Sequence, residues 1–339
     1  MNGTVAALPL QVTFYHRKPF PSCHSIERYF IDVRRAMPAG VVCRQAICRF
    51  HSKGVGRRVY NMAEAAFRQG DVNHITGDVY ILAFFLRRRR TLLTILDFVQ
   101  LHRLTGLRKA LIHLFWYWLP VRRSALVSVI SEFTKQELLR FVRCDPGNIR
   151  VVHACVSEDF VPDPRPFRTE RPVILQVGTG WNKNAERVAE ALQGIPCHLR
   201  IIGRVGPSLE SRLRNGGIDY SHVANIGNEA VAEEYRRCDL VVFASIYEGF
   251  GLPIVEAQAV GRPVVTSNLT AMPEVAGDAA CLVDPHVVSS IREGIGRVIR
   301  DEAYREELIR RGFQNVNRFR PERIAAQYVA LYEELLGLC

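Results

Sequence analysis

The sequence predicts an α/β protein of two doubly wound, Rossmann-like domains, joined by a linker and facing each other across a cleft. Three observations predict it. The chain has 339 residues, 48% of them hydrophobic, more than one core usually organises. Short β-branched runs alternate with helix-like stretches along the whole chain, the pattern of parallel sheets with crossover helices. One stretch at 161–172, VPDPRPFRTERP, breaks the alternation with four prolines in twelve residues. Such a stretch continues neither a helix nor a central strand. The expected division is an N-terminal domain over 1–165, a C-terminal domain over 166–320, and a C-terminal helix over 321–339 placed to pack back on the first domain.

In the first half, strands are expected at 10–15, 40–47, 72–75, 92–95 and 125–130. Helices are expected at 25–35, 57–68, 106–118 and 134–142. The last carries the capping-box pattern Thr134–x–x–Glu137. After the linker, strands are expected at 173–177, 198–202, 240–244 and 263–266. Helices are expected at 185–192, 230–237, 253–260, 288–300, 303–313 and 321–336. In the last of these Ile324, Tyr328, Leu331 and Leu335 recur at helical spacing.

Charge and cysteine content narrow the function classes. Residues 1–165 hold 25 Lys+Arg against 12 Asp+Glu, while the remainder holds 20 against 22, so the excess of +11 sits in the first half. A half so basic is suited to an anionic surface: membrane, nucleic acid or a phosphorylated substrate. No nucleic-acid-binding signature accompanies it, so nucleic acid is not an expected partner. The nine cysteines show no CxxC or Cys/His zinc spacing and read as reduced thiols. The N-terminus lacks the basic stretch of a signal peptide. The longest apolar run, LIHLFWYWL at 111–119, is shorter than the roughly 20 residues that span a bilayer. The expected location is cytoplasmic, peripheral on the inner face of the plasma membrane if the basic half meets lipid.

The most informative stretch is 240–285. A buried run, LVVFA, ends in a polar loop at 245–252, and Pro253 then opens a helix. Proline is pre-organised for the start of a helix, where its missing N–H costs nothing. Gly249 and Gly251 let backbone approach a ligand. Free amides of the loop and helix start suit phosphate or sugar oxygens. Glu248 and Glu256 flank the loop with seven residues between them, and carboxylates accept hydroxyl hydrogen bonds of the kind a vicinal diol offers. The alternative for either is a solvated charge near a helix N-terminus. A second patch, GTGWNKN at 178–184, follows the 173–177 strand. Read from the residues alone, Lys183 there is a surface lysine beside a helix cap or a cation set among free amides.

SIYEGFGLPIVEA, followed by GRPVVTSN and PEVAGDAACLVDP, resembles the retaining GT-B glycosyltransferases of family 4. The resemblance is strong over 171–339, moderate over 91–160 and weak over 1–90. It implies that Glu256 holds the ribose hydroxyls of a nucleotide and that Glu248 binds the transferred sugar. It implies that Gly249, Phe250, Gly251 and Leu252 offer amides to sugar hydroxyls and diphosphate. Lys183 would meet the diphosphate, with Gly178, Thr179 and Asn184 beside it. Arg204, in IIGRVG at 201–206, reaches diphosphate or base, or is a plain loop arginine.

In the first half, TLLTILDFVQLH at 91–102 resembles the family's strand-end T-I-H-D segment. Asp97 matches the aspartate and is the expected catalytic residue there, with Glu248 and Lys183 from the second half. Leu96 stands where the family has histidine, a departure compatible with a 6-deoxy sugar or with substitution by His102. The family's glycine-rich loop is replaced by HRKPFPSCHSIE at 16–27. Arg17, Lys18 and His102 are the acceptor-side candidates. The stretch 103–123 has basic ends and a Trp/Tyr-rich middle. It reads as an interfacial membrane helix or as a helix packed on the core.

The implied activity is transfer of a sugar from a nucleotide diphosphate sugar to an acceptor hydroxyl with retention, in cell-surface polysaccharide or glycolipid assembly. The acceptor would be a saccharide or lipid-linked saccharide. No cofactor is expected, and no DxD-type motif implies a metal. The alternatives are an inactive sugar-binding relative and a GT-B phosphorylase or epimerase.

Overall fold

The computed structural model describes residues 9–19 and 25–338, with only the backbone of 25 and 26. The N-terminal reading over residues 1–8 and part of the 16–27 segment lie outside the described residues. Contacts divide the chain into two units.

The N-terminal unit runs to Cys155 and takes in the chain from Pro321. Its strands are β1 (Leu10–His16), β2 (Val41–Ile47), β3 (Val72–Ile75), β4 (Thr91–Ile95), β5 (Leu126–Val129) and β6 (Ile149–Val151). They form one sheet in the order β2-β1-β3-β4-β5-β6, every pair parallel. β3 and β4 are buried along their whole length, as expected of strands covered on both faces. The helix predicted at 134–142 begins two residues earlier, at Glu132, because the cap is Ser131 and not Thr134. The Ser131 hydroxyl accepts from the Thr134 amide at 3.0 Å.

The helix Pro321–Leu336 belongs to this unit. Tyr328 and Tyr332 are fully buried and bring polar tips with them. Tyr328 shares a 2.8 Å hydrogen bond with the Tyr29 hydroxyl, and Tyr332 one of 2.8 Å with His74 Nδ1. His74 Nε2 meets Thr94 Oγ1 at 2.7 Å, which in turn meets Ser128 Oγ at 2.6 Å. Phenols give the helix a large apolar area while their hydroxyls are satisfied.

The C-terminal unit spans Val156–Arg320. Its strands are β7 (Val173–Val177), β8 (His198–Ile202), β9 (Tyr220–Val223), β10 (Leu240–Phe243), β11 (Val264–Ser267) and β12 (Cys281–Val283). Their order is β12-β11-β10-β7-β8-β9, again with every pair parallel. The domain boundary falls ten residues before the expected 165/166, because the proline-rich stretch is strapped to this unit. Arg165 and Arg168 both pair with the buried Asp239, and Asp163 pairs with the buried Arg262 guanidinium at 2.8 Å.

Candidate functional site

In the C-terminal unit β10, β7 and β8 lie side by side, so the segments at their carboxyl ends are neighbours, where open α/β sheets bind ligands. After β10 comes the loop from Ala244 to Gly251. Gly251 takes φ 111°, open to glycine alone at low cost, and the helix Leu252–Val260 follows with Pro253 second. After β7, Gly178 takes φ 85°; a Cβ there would lie 2.9 Å from Lys183 Cγ. The Lys183 stem therefore runs tightly over this glycine. Its ammonium lies 4.7 Å from the Phe243 ring centroid.

The two loops meet through Glu248. Lys183 Nζ reaches Glu248 Oε1 at 2.8 Å. Asn182 Nδ2 donates to the same oxygen at 3.1 Å and to Tyr247 O at 3.0 Å, and the Ile246 amide donates to Asn182 O at 2.7 Å. The Glu248 amide donates to Thr270 Oγ1 at 3.3 Å. Both partners of the ion pair remain partly open to solvent.

Glu256 lies one turn into the helix. Tyr235 donates to its Oε2 at 2.6 Å. Burial pushes the Glu256 carboxyl up to about 7, opposed by the Tyr235 hydrogen bond and by the nearby charge of Lys183. A little of its surface stays accessible. Lys183 thus acts on both glutamates, and the cluster holds one cation, one ion-paired carboxylate and one carboxyl poised near neutrality.

Asn184 departs from its expected part. It sits at φ 58° and is buried. Its Nδ2 donates to Ala244 O at 3.0 Å and Pro285 O at 2.7 Å, and its Oδ1 accepts from Arg187. Its amide is committed to pinning the loops and is not offered to a ligand. The Thr179 hydroxyl donates to Arg204 O at 2.7 Å, tying the β7 loop to the β8 loop; the Arg204 side chain is exposed. Gln176 Oε1 and Ser245 Oγ, beneath these loops, are buried without hydrogen-bond partners. Tyr235, Asn182 and Thr270 were not singled out in the sequence, and nothing in their spacing marks them.

The remaining candidates belong to the N-terminal unit. Asp97 lies just past β4, and its Oδ1 accepts from the Val99 amide at 3.0 Å; Leu96 is buried. His102 Nε2 meets Glu137 Oε1 at 2.7 Å. Arg17 pairs with Glu27 at 2.9 Å, and Lys18 is exposed. No group of three or more His, Cys, Asp or Glu placed to hold a metal occurs among the described residues.

Residues 157–315 match the family described as glycosyl transferases group 1. The chain is 29% identical over 237 residues to O-antigen chain mannosyltransferase B of Escherichia coli, covering 62% of this chain and 61% of that protein. It is 34% identical to the MMP alpha-(1->4)-mannosyltransferase of Mycolicibacterium hassiacum, covering 61% and 54%. The chain thus spans less than two thirds of the length of these relatives. Among solved structures, HepE of Anabaena in complex with UDP and glucose superposes with a TM-score of 0.77 at 14% identity, over 96% of this chain and 100% of that one. The fold is therefore that of the GT-B class, two Rossmann-like domains.

Proposed function

Because residues 157–315 belong to glycosyl transferases group 1, we propose that this chain transfers a sugar from a nucleotide diphosphate sugar to a saccharide hydroxyl in cell-surface polysaccharide assembly. The observation that carries this reading is the Lys183–Glu248 pair beside Glu256 at the carboxyl ends of β7 and β10. The acceptor oxygen attacks the anomeric carbon, and the bond from that carbon to the diphosphate oxygen breaks with its electrons going to the phosphate. The acceptor proton passes to the leaving diphosphate, on the same face in a retaining reaction. Lys183 stabilises the charge that develops there, Glu248 accepts from hydroxyls of the sugar, and Glu256 from those of ribose. Asp97 is the catalytic candidate of the N-terminal unit. The names of the relatives make mannose the first donor sugar to test.

The Glu256 assignment predicts a pH dependence. Only the carboxylate accepts from both ribose hydroxyls, and its carboxyl titrates at about 7. Calorimetric affinity for the cognate nucleotide should therefore weaken as pH falls from 8 to 6, and Glu256→Ala should bind weakly at both. An affinity unchanged by pH and by the substitution would remove Glu256 from the ribose.

The acceptor is proposed to lie on an anionic bilayer. In the segment 106–122, Leu107, Leu111, Leu114 and Phe115 are exposed, spaced i, i+4, i+7 and i+8 on one face. Arg103, Arg108, Arg122 and Arg123 are exposed around them. An apolar stripe with a basic rim suits a bilayer interface. Trp116 is not part of that stripe: it is buried, donates to Asp78 at 2.9 Å and is covered by Arg58. No helix among the described residues is long and apolar enough to cross a membrane. Co-sedimentation with anionic vesicles should be strong and partly salt-sensitive, each basic residue near the surface contributing about 1 kcal/mol. Replacing Arg87–Arg90 with Gln should lower the salt-sensitive part, and Leu111→Ser with Phe115→Ser the remainder. Equal binding to neutral vesicles would contradict this placement.

A further inference from the structure

A groove of about 510 Å³ lies outside the Lys183–Glu248 pair, entirely within the C-terminal unit. Its size falls within the roughly 300–1,000 Å³ of small-molecule sites. It is lined by Trp181 on the β7 loop, by Glu186, Arg187 and Glu190 of the helix Ala185–Ala191, and by Arg212 of the helix Pro207–Asn215. The indole of Trp181 is 50% exposed. The other two tryptophans are each covered by a guanidinium: Arg58 lies 4.7 Å from the Trp116 ring and Arg122 lies 4.8 Å from that of Trp118. Among the described residues no ring or cation packs on Trp181. Half of Trp181 is thus left to water beside a groove whose remaining lining mixes four charged side chains with neutral and apolar ones, Leu209 and Ile246 among them.

The four charged side chains are of both signs. Arg212 lies 3.4 Å from Glu186 and 3.6 Å from Glu190, spacings loose enough for hydroxyls to join. A pyranose has the matching chemistry: an apolar C–H face to lie on an indole and a rim of hydroxyls that donate to carboxylates and accept from guanidinium. The groove is also connected to the reaction site. Trp181 directly precedes Asn182 and Lys183, both of which hold Glu248, and Ile246 of the Glu248 loop contributes to the wall.

We propose that this groove is a glycan-binding subsite, taking sugar residues of an extended acceptor chain on the Trp181 face with Glu186, Glu190 and Arg212 on their hydroxyls. The assignment rests on the transferase reading above. It makes the acceptor an oligosaccharide longer than the single sugar that receives the transfer.

The test titrates α-linked mannotetraose and maltotetraose into the full chain, with and without saturating GDP or UDP. It follows affinity by calorimetry and indole exposure by acrylamide quenching. At least one tetrasaccharide should bind saturably, shield an indole from acrylamide and do so whether or not nucleotide is present. Trp181→Ala and Arg212→Gln should each weaken that binding tenfold or more and raise KM for the tetrasaccharide acceptor. Trp181→Phe should restore most of it, and nucleotide affinity should not change in any variant. Failure of both tetrasaccharides to bind would overturn the proposal, as would shielding by nucleotide instead, which would make the groove part of the donor site. Tetrasaccharide binding by a wild-type chain that binds no nucleotide sugar would leave the subsite standing and overturn the transferase reading alone.

Discussion

Lys183→Ala should lower turnover with intact donor by about tenfold to a hundredfold, the measure of one charge-assisted contact of about 1.5–3 kcal/mol. Its affinity for nucleoside diphosphate should fall by a similar factor, while nucleoside affinity holds. The structure adds a complication. Lys183 is also the partner of Glu248 at 2.8 Å, so alanine leaves a partly buried carboxylate with Asn182 as its remaining side-chain partner in the cluster. The double variant Lys183→Ala, Glu248→Gln separates the two effects. It removes the uncompensated charge and should recover thermal stability, but not turnover. Turnover recovering with stability would make the lysine a structural ion pair only. Arginine should not replace it well, because the lysine stem passes too close over Gly178 for a wider head to settle unchanged.

His16→Gln should flatten the acid side of the N-terminal unit's stability curve. His16 is buried, with Thr76 Oγ1 at 2.9 Å from Nδ1 and Arg34 at 2.7 Å from Nε2. Burial, then Arg34, pushes its imidazole down to about 3. A histidine whose folded pKa is depressed binds its proton in the unfolded chain first. The associated stability is complete above about 6.5 and is lost as pH falls from there toward the folded value. At pH 5 the loss from His16 is about 2 kcal/mol. His74, fully buried between Tyr332 and Thr94, is pushed the same way by burial, His16 and Arg34. Two carboxyls raised by burial work in the opposite sense: Asp78 in the same unit and Glu256 in the other. The comparison is therefore wild type against His16→Gln, by hydrogen exchange of β1 and β3 amides at pH 7 and pH 5. The wild type should lose about 2 kcal/mol more protection than the variant. Equal losses would show that His16 protonates without disturbing the unit.

The donor loop was legible because its chemistry is local. Two glutamates with seven residues between them, around glycines and a proline, define a strand end, a loop and a helix start without any long-range contact. What holds those groups was not legible. Tyr235 lies 21 residues before Glu256, and Thr270 lies 22 after Glu248; only the fold brings them together. Asn184 stood inside the motif, yet its amide serves backbone carbonyls as far away as Pro285. The strands that escaped the sequence, β6, β9 and β12, all lie at sheet edges and are only three or four residues long, too short to show a period. The helix Pro207–Asn215 escaped because it buries only Leu209 and Leu213. In the aromatic segment after 106, composition offered the run Phe115–Trp118 as a lipid contact or as core, and packing divides it: Trp116 and Tyr117 are buried, while Phe115 and the leucines before it stay outside.

The central claim is sugar transfer from a nucleotide diphosphate sugar, and analysis of the products tests it most directly. The chain would be incubated with GDP-mannose, then with a panel of UDP- and GDP-sugars, each with and without an oligosaccharide acceptor, and the mixture resolved by mass spectrometry and NMR. The account predicts that one donor yields an acceptor longer by one sugar, an equal amount of free nucleoside diphosphate, and an anomeric configuration in the new linkage that matches the donor. Release of a sugar phosphate, conversion of the nucleotide sugar without acceptor, or no lengthened product with any donor would contradict it.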